Sequence, residues 1–450
     1  MRTKHKSLYV IVALTGVWLG ASPVAAQRIM TLEECVAAAR TGNTQAKDAK
    51  NEILMAKEQQ KLARSKYAPM ASLSAFHFES NKHLVEYDAL DQEDVDYLNR
   101  ELGTDLNVDQ FTASFIKRGT SADLTVIEPL YVGGRITKNN KLADLQVEAR
   151  QLQQGLTDDQ IVMNTESMYY KILELHETDK TLEAMEKELG SIHQDAINLW
   201  ENGIANKNDV LNVELACDRQ SALRIKVDNS RKLLRRALAQ YIGMPDTDID
   251  IDTTLNKEIV APEQLLISTQ TAMANRAESR LLDIWVEKSV LERKVARADM
   301  LPILAVGGIL SHSRYLNEWN SRALGFVALQ IPLSPLWSER HSYNRKKIME
   351  QKAIDFRQDK RELMSLQIQD AYDNLTSAYK QTQIAQKSIV KAEENMRINR
   401  EHYREGLTTM TNLLDAQRQQ QQAHTQYNSA LSEYLQAKTR YLILTGRSSK

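Results

Sequence analysis

The sequence predicts a mainly α chain with β content. It reads as a tandem-duplicated unit whose long coiled-coil helices build a tall column and whose four strands per chain contribute to a transmembrane β-barrel shared between copies. Three observations carry this expectation. The 450-residue chain repeats itself at an offset of 203 residues: Glu128-Pro129-Leu130 aligns with Ile331-Pro332-Leu333, Glu201-Asn202-Gly203 with Arg404-Glu405-Gly406, and Tyr241-Ile242-Gly243 with Leu444-Thr445-Gly446. Such self-similarity marks duplication of one structural unit. Heptad seams run through both copies, and two strand-like segments sit inside each, about as long as a tilted strand needs to cross a bilayer.

Residues 1–26 read as a secretory signal peptide. Arg2, Lys4 and Lys6 precede the apolar stretch Leu8–Leu19, and Val24-Ala25-Ala26 offers a small-residue cleavage site. No cysteine stands directly after that site to take a lipid. The remainder is hydrophilic and holds no apolar run long enough for a spanning helix, which leaves a membrane β-barrel open because its strands give a weak hydropathy signal. Two structural repeats are expected, 27–245 and 262–447, joined by a linker over 246–261.

Glycine and proline are scarce, 16 and 8, and those that punctuate the chain fall at element ends. Between them the spacing predicts six helices, at 31–66, 134–201, 208–240, 262–299, 338–404 and 411–444. Leu175, Leu182, Leu189 and Ala196 recur every seven residues, with Thr178, Met185, Ile192 and Leu199 three positions after each. In the second copy Met364, Ile368, Ala371, Leu375, Ala378, Thr382, Ala385, Ile389, Ala392 and Met396 alternate spacings of four and three, which is a coiled-coil seam. Each long helix should extend about 100 Å at 1.5 Å per residue. Two short helices laid end to end would match it, which suggests columns of one long helix or two stacked short ones.

The strand-like segments, Tyr67 to Ser80 and Ser121 to Tyr131 in the first hairpin (67–131), Leu301 to Ser313 and Arg322 to Leu333 in the second (301–333), alternate small or polar with larger residues. Prolines stand at their ends, where a missing N–H is tolerated. Four strands cannot close a barrel, and open edges are forbidden in lipid, so several chains must share one. The first hairpin is longer by 30 residues, and its extra stretch Glu86 to Asp109 carries nine acids and one arginine, which fits a barrel with one long outer loop per chain.

A net charge of −1 with dispersed cations gives no footprint for nucleic acid. The nine histidines form no metal-ligand pair on one helix, and neither Cys35 nor Cys217 has a histidine close in sequence. Gly133-Gly134-Arg135 lacks the spacing of a phosphate loop and reads as a strand-to-helix corner. No catalytic residue, cofactor site or metal site is expected. A periplasmic coiled-coil adaptor or structural protein without a membrane barrel is the rival reading, and a periplasmic enzyme the next. Adaptors carry glycine-rich β-domains flanking one hairpin, whereas here the strands lie inside each helical unit.

Taken together, Met30-Thr31-Leu32-Glu33-Glu34, Ser65-Lys66-Tyr67-Ala68-Pro69, Pro129-Leu130-Tyr131-Val132-Gly133-Gly134-Arg135 and the paired tips Gly203 to Glu214 and Gly406 to Gln417 resemble the TolC outer-membrane efflux factor family. The resemblance covers nearly all of the expected mature chain. It implies a homotrimer with a twelve-stranded barrel in outer-membrane lipid and twelve helical columns in the periplasm. It also implies a passive exit duct of a tripartite efflux or type I secretion system, with a periplasmic membrane-fusion adaptor and an inner-membrane transporter as partners.

The tips are the candidate site. Gly203 and Gly406 suit the left-handed residue that ends a helix, and with Ile204 and Leu407 they form the turns that the resemblance assigns to adaptor contact. Asp209 and Asp415 either complement a helix dipole or, in the trimer, Asp415 rings the tunnel mouth and selects cations. By resemblance, acids three residues apart form a constriction, and here Asn412 and Asp415 match them, so one of the pair is neutral. By the same match Asp209 accepts a hydrogen bond from Tyr403 and latches the closed mouth. Thr408 stands where some relatives carry a basic latch residue. The glutamines 419–422 and Gln426 read either as a solvated face or as tunnel lining.

Overall fold

The computed structural model describes residues 28–103, 105, 107, 112–254, 259–315 and 318–447. The expected signal peptide lies outside the described residues. In order the elements are β1 (Arg28–Met30), α1 (Leu32–Gly42), α2 (Thr44–Ser65), β2 (Met70–Glu79), β3 (Val85–Asp88), α3 (Gln92–Leu102), β4 (Thr112–Phe115), β5 (Arg118–Tyr131), α4 (Arg135–Glu201), α5 (Lys207–Tyr241), β6 (Ile249–Ile251), α6 (Pro262–Leu265), α7 (Thr269–Asn275), α8 (Ala277–Ala298), β7 (Ile303–Arg314), β8 (Asn320–Gln330), α9 (Glu339–Arg404) and α10 (Met410–Leu444). The duplication is visible in the helix ends: Glu201 and Arg404, Lys207 and Met410, and Tyr241 and Leu444 are each 203 positions apart.

The chain packs as two compact bodies. One comprises residues 28–43, 162–259 and 378–436. Its core is the heptad seam: Leu182, Leu189, Ile192 and Ala196 of α4 and Ala378, Thr382 and Met396 of α9 are all buried. Polar seam positions are satisfied from neighbouring helices, as where Thr382 Oγ1 donates to the Ala430 carbonyl at 3.0 Å and Gln220 Nε2 to the Leu182 carbonyl at 2.9 Å. Two short strands that the periodicity does not reveal, β1 and β6, pair in parallel here. The fully buried Tyr169 ties them down, donating from Oη to the Asp252 carbonyl at 2.7 Å.

The same body explains why the first helix is broken where the pattern predicts continuity. The chain at Gly42 and Asn43 crosses the end of α5 so closely that a Cβ on Gly42 would lie 2.2 Å from the Ile242 carbonyl oxygen. Asn43 leaves the helical region (ψ 138°) and gives its amide to the Tyr241 carbonyl at 2.8 Å. A comparable break occurs in the other body, between Asn275 and Ala277, against Gly446. Gly42 and Asn275 stand 233 positions apart, as do Pro69 and Pro302, so the duplicated break keeps its place.

The second body comprises residues 44–161, 260–377 and 437–447 and contains an antiparallel sheet in the order β2-β5-β7-β8. Both hairpins form as expected and β5 joins them to each other through β7. The outer strands β2 and β8 each have one unpaired edge within the chain. The acidic insertion is partly structured: β3 and β4 form a ribbon, and α3 is capped by Asp91, which accepts the Asp94 N–H at 2.8 Å, and by left-handed Gly103. Opposite charges hold the helices of this body together, including Arg280 with Glu148 at 2.7 Å and Arg361 with Asp283 at 3.0 Å.

Candidate functional site: the helix tips and the membrane face

Both helix tips are built the same way. At the first, Gly203 (φ 74°) turns the chain, and the Ile204 N–H reaches back to the Leu199 carbonyl at 2.8 Å. At the second, Gly406 (φ 74°) does the same, with the Leu407 N–H on the His402 carbonyl at 2.8 Å. This satisfies carbonyls that the end of a helix leaves orphaned. Ile204 and Leu407 are the most exposed apolar residues here, at 70% and 69%. The following helices are capped in turn. Asp209 accepts the Asn206 N–H at 3.4 Å, Thr409 Oγ1 accepts the Asn412 N–H at 3.3 Å, and the Asn412 amide donates to Thr408 Oγ1 at 3.1 Å.

Under the two tips lies one apolar cluster that includes Leu189, Ile192, Ala196, Val210, Met396, Tyr403, Met410 and Leu413. Tyr403 is 5% exposed and its Oη has no hydrogen-bond partner among the described residues. Burial, with the nearby charges of Asp209 and Asp195, pushes its phenol up to about 12. A neutral hydroxyl that finds no acceptor in such a place is costly. The single chain does not show the bond from Tyr403 to Asp209.

Asp415 is not a free carboxylate. Arg418, one turn on, forms a short charged bond to it, and Gln419 Nε2 donates to it at 2.6 Å. Those bonds hold its carboxyl below the ordinary range. A second ion-pair set crosses from α9 to α4: Arg404 reaches Asp195 at 2.9 Å, while Arg400 lies 3.8 Å from Asp195 and 3.9 Å from Glu188. Gln419, Gln422 and Gln426 are exposed, whereas Gln420 and Gln421 are half-buried.

The sheet register sorts its side chains into two faces. One face carries the cross-strand rows Leu73–Leu124–Leu310–Ala323 and Ala71–Val126–Gly308–Gly325, with Glu128, Val306 and Val327 in the next row, where the carboxylate of Glu128 interrupts the aliphatic run toward the helical end. Leu73, Leu310 and Val327 of this face are exposed. The other face carries the row Ser74–Asp123–Ser311–Arg322. There Asp123 accepts hydrogen bonds from Ser121 at 3.0 Å and from Ser311. An exposed aliphatic face over strands of 10 to 14 residues is what a lipid-facing sheet presents. Trp319 stacks on His312 at 4.7 Å near the turn end of the second hairpin, and Tyr131 and Trp337 are exposed near the other end. No helix among the described residues is long and apolar enough to cross a membrane.

Residues 270–447 match the outer membrane efflux protein family. Over that span, the chain is similar to outer membrane efflux proteins. No curated protein sequence matches it. Solved structures extend the likeness over almost the whole fold. The outer membrane protein VceC of Vibrio cholerae is 14% identical, with 93% of this chain and 97% of that one covered and a TM-score of 0.74. The outer-membrane channel OprN is 16% identical, with 92% and 89% covered and a TM-score of 0.77. The open state of the Neisseria gonorrhoeae MtrE outer membrane channel is 14% identical, with 93% and 90% covered and a TM-score of 0.71.

The solved structures show that the fold is the one found in outer-membrane channels, and the match over residues 270–447 points the same way. The reading as a coiled-coil adaptor without a membrane barrel is not favoured. Among the described residues no group of three or more His, Cys, Asp or Glu is placed to hold a metal ion. The free thiols of Cys35 and Cys217 are pushed up by burial, Cys35 to about 12, which leaves neither poised as a nucleophile. Sequence reasoning missed Arg418 and the Asp195 set. An i, i+3 scan from Asp415 finds the first, but Asp195 and Arg404 are 209 positions apart and meet only in the fold.

Proposed function

We propose that this protein is an outer-membrane efflux channel, a passive, non-enzymatic exit duct that works as a homotrimer with its helical part in the periplasm, accepting substrates from an inner-membrane transporter through a periplasmic membrane-fusion adaptor. The observation that carries this reading is the four-stranded sheet with open β2 and β8 edges and an exposed aliphatic face. In lipid those edges must pair, and three copies supply twelve strands, enough for a barrel with an open lumen. The two repeats, 27–245 and 262–447, each contribute one hairpin and one tip, and 246–261 joins them.

The tips are the periplasmic gate in this reading. Asp209 serves as acceptor for the unpartnered Tyr403 hydroxyl in the closed assembly, while Asn412 and Asp415 line the mouth. Gly203, Ile204, Gly406 and Leu407 offer the adaptor two exposed apolar turns. Cross-linking of outer-membrane extracts should give a trimer. A monodisperse soluble monomer overturns the assembly.

A further inference from the structure

We propose that the helical side of the sheet carries a basic collar that binds the headgroups of anionic phospholipids in the periplasm-facing leaflet. The proposal rests on the outer-membrane placement and names a partner for a surface that placement leaves unassigned. β8 ends at Gln330, and the chain leading from it exposes Ile331, Leu333 and Trp337, so the aliphatic face continues past the sheet. Residues 340–349 then hold Arg340, His341, Arg345, Lys346 and Lys347 and no carboxylate. Lys346 is taken by Glu292 at 2.8 Å. Arg340, Arg345 and Lys347 are exposed and have no ion-pair partner among the described residues, and Ile348 stands 70% exposed among them.

The first repeat repeats the bias. Residues 135–143 carry Arg135, Lys138 and Lys141 and no acid. Arg135 is held by Asp299 at 3.2 Å and Lys138 by the Gly133 carbonyl at 2.9 Å. Lys141 is exposed and unpaired among the described residues, as are Lys66 at the entry to β2 and Arg297 near the end of α8. An ordinary solvated helix face mixes both signs, as α9 does further along with Glu350, Asp355, Asp359 and Glu362. Next to the sheet the unpaired cations outnumber the carboxylates, among which Glu339 is held by Ser338 rather than by a cation. From Arg340 to Lys347 the helix advances about 10 Å, roughly one Debye length. All three side chains therefore sit where a negatively charged lipid surface attracts them. Exposed tryptophan beside unpaired lysine and arginine is the chemistry of a headgroup layer.

The test uses the full assembled protein in mild detergent, titrated separately with dioleoylphosphatidylglycerol and dioleoylphosphatidylcholine, with retained lipids counted by native mass spectrometry. Membrane fractionation comes first, because a protein outside the outer-membrane fraction overturns the placement itself. The wild type should retain the glycerol lipid over the choline lipid. Combined Arg340→Gln, Arg345→Gln and Lys347→Gln should reduce that preference by roughly fivefold or more. Lys82→Gln, Lys117→Gln and Arg314→Gln at the turn end of the same sheet should leave it unchanged. A collar variant that still fractionates with the outer membrane and keeps its preference overturns the proposal. If the triple variant does not assemble, a salt titration of the wild type decides: loss of the preference by 1 M salt, where screening is nearly complete, supports the collar, and persistence overturns it.

Discussion

A Cβ placed on Gly243 would meet the Cα of Gly42 at 2.7 Å, and Gly243 itself holds φ +82°. The end of α5 and the break between α1 and α2 thus touch backbone to backbone, with no room for a side chain on either. Gly446 (φ +68°) meets Asn275 in the equivalent place, where a Cβ would lie 2.7 Å from the asparagine Cβ. Gly243→Ala combines a left-handed backbone with a clash, and should cost about 2 kcal/mol or more. Gly446→Ala should cost a similar amount, because the Asn275 Cβ it would meet is fixed to a backbone whose carbonyl lies 3.1 Å away. Thermal unfolding of the purified assembly measures both, and an unchanged midpoint for Gly243→Ala contradicts the close approach.

Arg418 is expected to set how much of the Asp415 charge reaches the tunnel mouth. Asp415→Ala removes a carboxylate that already has a counter-charge, so single-channel cation selectivity should move little. Arg418→Ala leaves that carboxylate exposed and should raise both cation preference and block by multivalent cations. The opposite ranking of the two variants in planar bilayers refutes the pairing.

In the proposed gate the deciding group is the Tyr403 hydroxyl. A hydrogen bond to an ionised acceptor is worth about 1.5–3 kcal/mol, and three symmetric copies would bias an open–closed balance strongly. Tyr403→Phe and Asp209→Ala should therefore each raise the resting conductance of assembled channels. If both variants conduct like wild type, this pair does no more than pack and cap helix ends.

Alkali provides a second handle on the same hydroxyl. Its pKa is raised in the fold to about 12 from an ordinary value near 10, so the folded state holds the proton that the unfolded chain releases. Stability from this group is whole below pH 10 and falls as pH rises toward 12. Wild-type protein should lose unfolding free energy across that window more steeply than Tyr403→Phe. Parallel curves for the two would show that the phenol does not titrate between fold and coil.

What the sequence reveals and what it hides divides along a physical line. The seam from Leu182 to Ala196 and the alternation around Leu73 and Leu124 were legible because burial imposes a period on every element that meets a core or a bilayer. The caps of α3 were present too, in Asp91 and Gly103, but sat in a stretch so acidic that it reads as a loop. The break at Asn43 was hidden, since the carbonyl that receives its amide belongs to Tyr241, 198 positions away. At the tips the turn glycines were readable from their conformational demand alone. The environment of Tyr403 was not, because its cluster draws on four helices whose meeting no local pattern records.

The bare edges of β2 and β8 also govern how the protein is made. A subunit in this state cannot enter lipid and wait there for company, since each unpaired N–H and C=O would sit in hydrocarbon with nothing to bind. Insertion and oligomerisation must then be a single event, and its rate depends on meeting other copies beforehand. The yield of channels should climb more steeply than the supply of chains when synthesis is slow, and a scarce subunit should wait in the periplasm as a target for proteases.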